Sequence, residues 1–128
     1  MGAAEPFIAV VDDEPAVRTM LGRVLALAGY RVAPFAKGED FLASLAAATP
    51  ACAIVDIHMP GLGGFAVLSR LRGAGHAVPV ILITASDDDA LDDAAREAGA
   101  AKLLRKPFSS DALCTAVASA LPPWQAQT

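Results

Sequence analysis

Short apolar runs alternate with amphipathic stretches along the chain, and this alternation restricts the possible folds more than any other feature of the sequence. The most compact runs lie at residues 7–11, 53–55 and 78–83 and are rich in branched side chains. Continuous apolar runs of this kind are typical of strands buried on both faces, as in a parallel sheet. Two weaker strands are predicted at residues 30–35 and 102–105.

The stretches between these runs carry apolar side chains at the spacing of amphipathic helices. Pro15 suits the first turn of the first helix. For the fourth helix we predict Asp87 as the N-cap and Gly99 as the end, and for the fifth an N-cap at Ser109 or Ser110. The apolar positions that define the five faces are Val17, Leu21, Val24, Leu25 and Ala28; Phe41, Leu42 and Leu45; Phe65, Leu68 and Leu71; Leu91, Ala94, Ala95 and Ala98; and Leu113, Ala116, Val117, Ala120 and Leu121.

The elements follow one another as five successive β–α units. Alternation of this kind implies a parallel sheet with right-handed crossovers and helices on both sides. We therefore predict an α/β fold with a five-stranded parallel, doubly wound sheet and five helices. The predicted domain occupies residues 1–122, and residues 123–128 form a short C-terminal tail or linker stub. In such a sheet the functional crevice lies outside the carboxyl ends of the strands.

Four of the five predicted strands lead directly into polar side chains. Asp12 and Asp13 follow the first strand, Asp56 the third, Thr84 the fourth and Lys106 the fifth. A parallel sheet gathers these positions at its functional crevice. The coincidence of topology and residue type is the strongest functional signal in the chain.

Three carboxylates in one crevice repel one another. Two unit charges about 4 Å apart at an effective dielectric of roughly 20 interact with about 4 kcal/mol. A single lysine cannot offset several such pairs, so either one carboxylate stays protonated or a divalent cation lies among them. Oxygen ligands of this type favour Mg²⁺, which binds through one or two carboxylates together with a phosphate. The cluster therefore predicts a magnesium-dependent phosphoryl-transfer site.

Within such a site, Asp56 is the candidate nucleophile, because a carboxylate can form an aspartyl phosphate. Lys106 and the Thr84 hydroxyl are the candidates to hold the phosphoryl oxygens. Taken singly, each residue has an ordinary structural interpretation: an acid pair after a strand is often a solvated turn or an N-cap, and Lys-Pro is usually a turn. The combination at these spacings favours chemistry.

Four segments together resemble the signature blocks of response-regulator receiver domains, namely VVDDEPAVRTML, VDIHMPGLGGF, PVILITA and LLRKPF. The resemblance covers residues 7–121, and the blocks are most similar to receivers of nitrogen-fixation-type transcription factors. It implies a flavodoxin-like sheet with the strand order 2-1-3-4-5. It also implies that Asp56 accepts a phosphoryl group from the histidine of a sensor kinase.

The same resemblance implies a metal-ligand set for Mg²⁺ alongside Asp56. Asp13 would bind the ion directly and Asp12 mostly through water. The backbone carbonyl of His58 would be a further protein ligand.

One position departs from the family pattern. An aromatic residue often lies three positions before the lysine, where this chain has Leu103. We therefore expect weaker or differently routed coupling between Asp56 and the face of the fourth helix. The resemblance also implies a cis peptide bond between Lys106 and Pro107.

The loop after Asp56 is rich in glycine. Gly61, Gly63 and Gly64 are expected to relieve backbone strain there. We interpret the His58 ring as solvent-facing, with a position at the mouth of the site, where it would influence attack by water, as the alternative.

Charge and composition restrict location and partners. The formal net charge of −4 and the absence of a Lys/Arg run disfavour a nucleic-acid-binding surface. No apolar run reaches the roughly 18 residues of a transmembrane helix, and no signal peptide is evident, so we expect a cytoplasmic protein. Cys52 and Cys114 are interpreted as ordinary buried thiols.

The leading hypothesis is a signalling switch rather than a metabolic enzyme. Its expected partners are a sensor histidine kinase and a downstream effector protein, with a homodimer possible and no membrane contact. Both a single-domain regulator and the receiver part of a DNA-binding regulator remain open, as does a phosphate-independent interaction module on the same fold. A small phosphatase or flavin protein is disfavoured, because the first strand ends on the acids Asp12 and Asp13 without the spacing or phosphate loop that those proteins need.

Overall fold

The computed structural model describes residues 6–121, so the predicted tail at 123–128 and both ends of the predicted 1–122 domain lie outside the described residues. The strands are β1 (Phe7–Val11), β2 (Arg31–Phe35), β3 (Cys52–Asp56), β4 (Val80–Thr84) and β5 (Lys102–Arg105). The helices are α1 (Pro15–Leu27), α2 (Gly38–Ser44), α3 (Gly64–Gly73), α4 (Ala90–Ala98) and α5 (Ser110–Ala120). Within this range, no helix has the length and apolar character needed to cross a membrane.

The sheet has the predicted strand order, β2-β1-β3-β4-β5, with all neighbouring strands parallel. In the register, Val11 pairs with Val55, Asp56 with Ile83, and Thr84 with Arg105. Because the strands run in one direction, the residues that follow β1, β3, β4 and β5 emerge at the same edge. The fold class and the strand order are thus confirmed.

The core forms one apolar cluster on each face of the sheet, since successive residues of a strand point to opposite faces. Every residue of β3 and β4 is buried, as the continuous apolar runs predicted. One cluster joins the sheet to α2, α3 and α4 through side chains that include Phe41, Leu68 and Ala95. The other joins it to α1 and α5 through Leu21, Leu25, Leu113, Val117 and others. Burial on both faces holds the central strands, and with them the strand ends, in place.

Three of the predicted helix ends are confirmed. Pro15 opens α1. The Ser109 side chain caps α5 by accepting a hydrogen bond from the Ala112 N–H at 3.0 Å. Gly99 ends α4 with a φ of 89°, a left-handed conformation that glycine adopts without steric cost.

The predicted N-cap of α4 is wrong. The helix begins at Ala90, with Asp89 rather than Asp87 at the N-cap position. The Asp88 carboxylate accepts a hydrogen bond from the Ala90 N–H at 3.0 Å. Side-chain-to-backbone bonds of this kind compete with helical ones, and here the helix begins two residues later than predicted.

The fourth strand also begins later than predicted, at Val80 rather than at residue 78. Pro79 precedes it and has no N–H for the ladder, although its carbonyl accepts from the Ala53 N–H at 2.9 Å. The apolar run therefore overstates the length of the strand.

Both cysteines are free thiols. Cys52 lies in β3 and is fully buried, as predicted. Cys114 lies on α5 and is only partly buried, so the prediction of a buried thiol is wrong there. Its helix turns this position towards the margin of the core rather than into it.

Candidate functional site

Three carboxylates meet at the carboxyl edge of the sheet. Asp12 and Asp13 follow β1, and Asp56 is the last residue of β3. One oxygen of each lies within 4.8 Å of the others, with Asp12 and Asp56 buried and Asp13 exposed. The sequence prediction that these acids lie close together is confirmed.

Lys106 brings its ammonium group into this cluster from the end of β5. Its Nζ lies 3.0 Å from an oxygen of Asp12 and 3.2 Å from an oxygen of Asp56. It also lies 3.4 Å from an oxygen of Glu14. One ammonium group therefore contacts three carboxylates.

Sequence reasoning missed Glu14. Its side chain is 62% exposed, and its backbone N–H donates to the Asp12 carboxylate at 2.9 Å. Its place immediately after Asp12 and Asp13 was the available signal, because a third acid next to two others competes for the same cation.

Burial dominates the protonation of the central acid. It raises the pKa of Asp56 above the ordinary value, and the neighbouring charge of Asp12 adds to the rise. The His58 N–H, which donates to Asp56 at 3.0 Å, and the Lys106 ammonium act in the opposite direction without cancelling it. Burial alone would lower the pKa of Lys106, but its bonds to the acids outweigh burial and raise it, so the lysine stays charged.

Thr84 is fully buried at the end of β4. Its Oγ1 accepts a hydrogen bond from the Ser86 N–H at 3.0 Å. Its carbonyl accepts from the Lys106 N–H at 2.7 Å. The peptide bond from Lys106 to Pro107 is cis, as the resemblance implied.

The loop after Asp56 depends on glycine for two different reasons. Gly61 has a φ of 76°, so the expected relief of backbone strain is confirmed there. Gly63 and Gly64 do not have positive φ angles, and for them the expectation is wrong. A Cβ at Gly63 would lie 2.3 Å from the Ile57 carbonyl oxygen, so glycine there serves close packing of the loop against the strand end.

His58 has an exposed side chain, in agreement with the solvent-facing interpretation of its ring. Its backbone N–H holds one oxygen of Asp56. The role of its carbonyl as a metal ligand stays a prediction.

The donor set fits a hard divalent cation. Three carboxylates offer oxygen atoms within 4.8 Å of one another, and Lys106 supplies one positive charge against them. Buried carboxylates without a matching cation are costly. The cluster could therefore hold a metal ion that binds through oxygen.

The sequence model of the response regulator receiver domain family matches residues 8–118, which is most of the chain. The chain belongs to the response regulator receiver domain family. The match begins within the first strand and ends within the last helix, so the family resemblance of the four sequence blocks is confirmed. As a receiver domain, the chain is a signalling domain of two-component systems.

Curated relatives of this receiver domain are longer regulators. It is 38% identical to the DNA-binding transcriptional regulator NtrC of Salmonella typhimurium over 118 aligned residues. The aligned segment is 92% of this chain and 25% of NtrC. It is 34% identical to the transcriptional regulatory protein FixJ of Bradyrhizobium diazoefficiens over 114 aligned residues. The aligned segment is 89% of this chain and 56% of FixJ. The chain thus spans about a quarter to somewhat over half of these relatives.

Solved structures agree with the receiver fold. The crystal structure of FixJ-N superposes with a TM-score of 0.84 at 29% identity, covering 92% of this chain and 94% of that one. The chemotaxis protein CheY4 of Vibrio cholerae superposes with a TM-score of 0.85 at 28% identity, covering 92% of this chain and 100% of that one.

Proposed function

We propose that this receiver domain accepts a phosphoryl group onto Asp56 from a phosphohistidine of a sensor histidine kinase, in a reaction that depends on Mg²⁺, and thereby switches a signalling output. The observation that carries the proposal is the contact of one lysine with two buried members of a three-carboxylate cluster whose oxygens lie within 4.8 Å. A cluster of this composition is poised to bind a divalent cation and a phosphoryl group together.

Asp56 is the nucleophile in this proposal. A carboxylate oxygen forms a bond to phosphorus while the P–N bond of the phosphohistidine breaks, and the electron pair of that bond returns to the imidazole nitrogen. The His58 N–H, 3.0 Å from one carboxylate oxygen, orients the group for attack. Burial raises the pKa of Asp56 and so makes its carboxylate more basic. Water later attacks phosphorus, the bond between phosphorus and the Asp56 oxygen breaks, and inorganic phosphate leaves together with a proton, which restores the free carboxylate.

Asp12, Asp13, Asp56 and the carbonyl of His58 would hold Mg²⁺. The ion supplies positive charge that offsets the carboxylates and the oxygens of the incoming phosphoryl group. Asp13, the exposed member of the cluster, is accessible from solvent, whereas the buried Asp12 also anchors Lys106.

Lys106 and Thr84 bind the phosphoryl oxygens. The Lys106 ammonium exchanges its bond to Asp56 for one to the phosphoryl group, because esterification removes the carboxylate charge. The Thr84 oxygen already accepts from the Ser86 N–H, which leaves its own O–H free to donate. Thr84 is the last residue of β4 and Lys106 follows β5, and the pairing of these two strands holds both residues at one edge.

The output passes through a downstream effector protein. The relatives' names describe transcriptional regulators, so an effector that acts on transcription is the leading candidate. This domain itself, with a net charge of −4 in the whole chain, does not contact nucleic acid directly. Pairing of two receiver copies is a further candidate mode of output.

The test compares wild type with Asp56→Asn after incubation with Mg²⁺ and phosphoramidate, by intact-mass measurement. Wild type should gain one phosphoryl group, and the variant should gain none. Asp93→Asn, which removes an exposed carboxylate from α4, should behave as wild type. An adduct that survives Asp56→Asn would exclude Asp56 as the acceptor. A wild type that takes no adduct at all would favour the phosphate-independent interaction module.

A further inference from the structure

A closed ring of contacts links the two side chains that we propose to bind phosphoryl oxygens. Thr84 receives two bonds: the Lys106 N–H donates to its carbonyl at 2.7 Å, and the Ser86 N–H donates to its Oγ1 at 3.0 Å. The Asp88 N–H donates to the Ser86 Oγ at 3.1 Å. The Arg105 Nη2 donates to the Asp88 carbonyl at 2.7 Å, and the peptide bond from Arg105 to Lys106 closes the ring.

Arg105 extends this ring to helix α4. Its Nη1 donates to the Asp92 carboxylate at 3.0 Å, while its Nη2 holds the Asp88 carbonyl. The Asp88 carboxylate in turn accepts from the Ala90 N–H, the first of the helix. One guanidinium group thus fastens the loop between β4 and α4, and the first turn of α4, to the end of β5.

A second ion pair on the same helix shows why this arrangement differs from an ordinary surface contact. Arg96 pairs with Asp93, and the two side chains are 73% and 71% exposed. Exposed pairs of this kind contribute little. Arg105 is only 32% exposed, and one of its two bonds goes to a backbone carbonyl in another segment of the chain. It therefore restrains the path of the loop, which the Arg96 pair does not.

We propose that Arg105 and Ser86 are positioning residues that keep Thr84 and Lys106 in register for binding the phosphoryl group. This inference rests on the proposed function and deepens it. The reason is geometric: donors stabilise a transferred phosphoryl group only when they are held at hydrogen-bonding distance from its oxygens, and a small displacement costs a large part of the effect. Lysine should replace Arg105 only in part, because its single ammonium lacks the rigid, planar fork of donors with which the guanidinium reaches both the Asp92 carboxylate and the Asp88 carbonyl.

The first experiment needs no phosphodonor. Amide hydrogen exchange is measured in wild type, Arg105→Met and Arg96→Met, the last of which removes a positive charge from α4 but no member of the ring. In Arg105→Met the amides of Ser86, Asp88 and Ala90 should exchange at least about threefold faster, because the loop opens more often. In Arg96→Met they should exchange as in wild type. Equal exchange in both variants would overturn the proposed restraint.

The second experiment measures the rate of Asp56 phosphorylation by phosphoramidate with Mg²⁺. Arg105→Met should slow it about three- to tenfold, in proportion to the lost positioning. Ser86→Ala, which opens the ring at another link without changing charge, should slow it similarly. Arg105→Lys should recover only part of the rate. Full recovery with lysine would show that charge alone matters and would overturn the positioning role.

The two experiments separate the possible failures. Faster exchange with an unchanged rate would make the ring a purely structural feature and would overturn the positioning role. A wild-type protein that takes up no phosphoryl group would overturn both the proposed function and the positioning role. The exchange pattern would then still decide whether Arg105 restrains the loop. Thermal midpoints measured alongside would identify any variant that loses its overall fold.

Discussion

At the scale of single residues, the balance of charge in the site depends on Lys106 and the acids that it contacts. An ammonium group has three N–H donors, and those of Lys106 face one oxygen each of Asp12, Glu14 and Asp56. An anion that enters must therefore displace one acid. Glu14 lies farthest, at 3.4 Å, and is 62% exposed, so its contact is the weakest of the three.

Burial also controls the reactivity of the two thiols, and this predicts different alkylation. Burial raises the pKa of Cys52 to about 12, so its thiol stays neutral in the folded protein, whereas Cys114 is partly exposed. Because the thiolate is the reactive form, iodoacetamide should modify Cys114 first and Cys52 only on unfolding. Intact mass after timed labelling measures this, with Cys114→Ser as the control. Equal labelling of both thiols would contradict the prediction.

The raised pKa of Cys52 also determines the sign of the pH dependence of stability at alkaline pH. Above the ordinary thiol pKa of 9.0 the unfolded chain loses the Cys52 proton, while the folded protein keeps it up to about 12. The folded state then binds more protons, so the free energy of unfolding falls as pH rises through this window. In Cys52→Ala this contribution should be absent, which urea unfolding across the window measures.

At the scale of elements, the loop between β3 and α3 folds back onto its own strand end. The Gly64 N–H donates to the Ile57 carbonyl at 3.1 Å. A Cβ at Gly64 would lie 2.9 Å from the Asp56 carbonyl oxygen, and one at Gly63 would lie closer still to Ile57. The backbone on which Asp56 sits is therefore packed from outside by the loop that follows it.

Gly63→Ala should destabilise the protein by about 2 kcal/mol, because a Cβ 2.3 Å from a backbone oxygen forces the loop to shift. Gly22→Ala is the matched control. It lies within α1, where a Cβ meets only Val32 at 3.9 Å, so alanine should stabilise the helix by about 0.5–1 kcal/mol. Urea unfolding measures both, and equal stability of the two variants would contradict the packing argument.

At the scale of the whole molecule, one parallel sheet concentrates charge at one edge. The four polar strand ends arise from segments far apart in the chain, with Lys106 and Asp12 separated by 94 positions and Lys106 and Asp56 by 50. Both faces of the central strands are buried in the two apolar clusters, so the strand ends cannot move apart to relieve repulsion. The apolar core therefore sustains an electrostatically unfavourable site.

Relief of this repulsion should raise stability. Because burial raises the pKa of Asp56, its ionised form disfavours the fold at neutral pH. Asp56→Asn should therefore raise the thermal midpoint by a few degrees in the absence of metal. Mg²⁺ at about ten times its dissociation constant should stabilise wild type by about 1.4 kcal/mol and Asp56→Asn by less.

Thermal unfolding with and without Mg²⁺, after treatment with a chelator, measures these shifts. Glu97→Gln is the control, since it removes an exposed carboxylate near the end of α4, away from the cluster. It should respond to the ion as wild type does. A wild type with the same midpoint in Mg²⁺ and in chelator would contradict the metal site.

Much of the site was predictable, because it depends on residue type at strand ends. Asp12, Asp13, Asp56 and Lys106 meet as predicted. Glu14 was missed because its contact depends on how far the lysine side chain reaches across the edge. The consequence of Leu103 for coupling to α4 stays a prediction.

The amino-acid sequence by itself determined the order and type of the elements, the sheet's parallel character and the chemistry available at its edge. The signals for these elements act over a few neighbouring residues and can therefore be recognised from the sequence. They include apolar periodicity, a capping residue such as Ser109 and a terminating glycine such as Gly99. Only the tertiary structure decided that Gly63 packs against Ile57 and that Arg105 fastens the loop before α4. Such contacts depend on distances between elements brought together by packing, and local sequence patterns carry no measure of those distances.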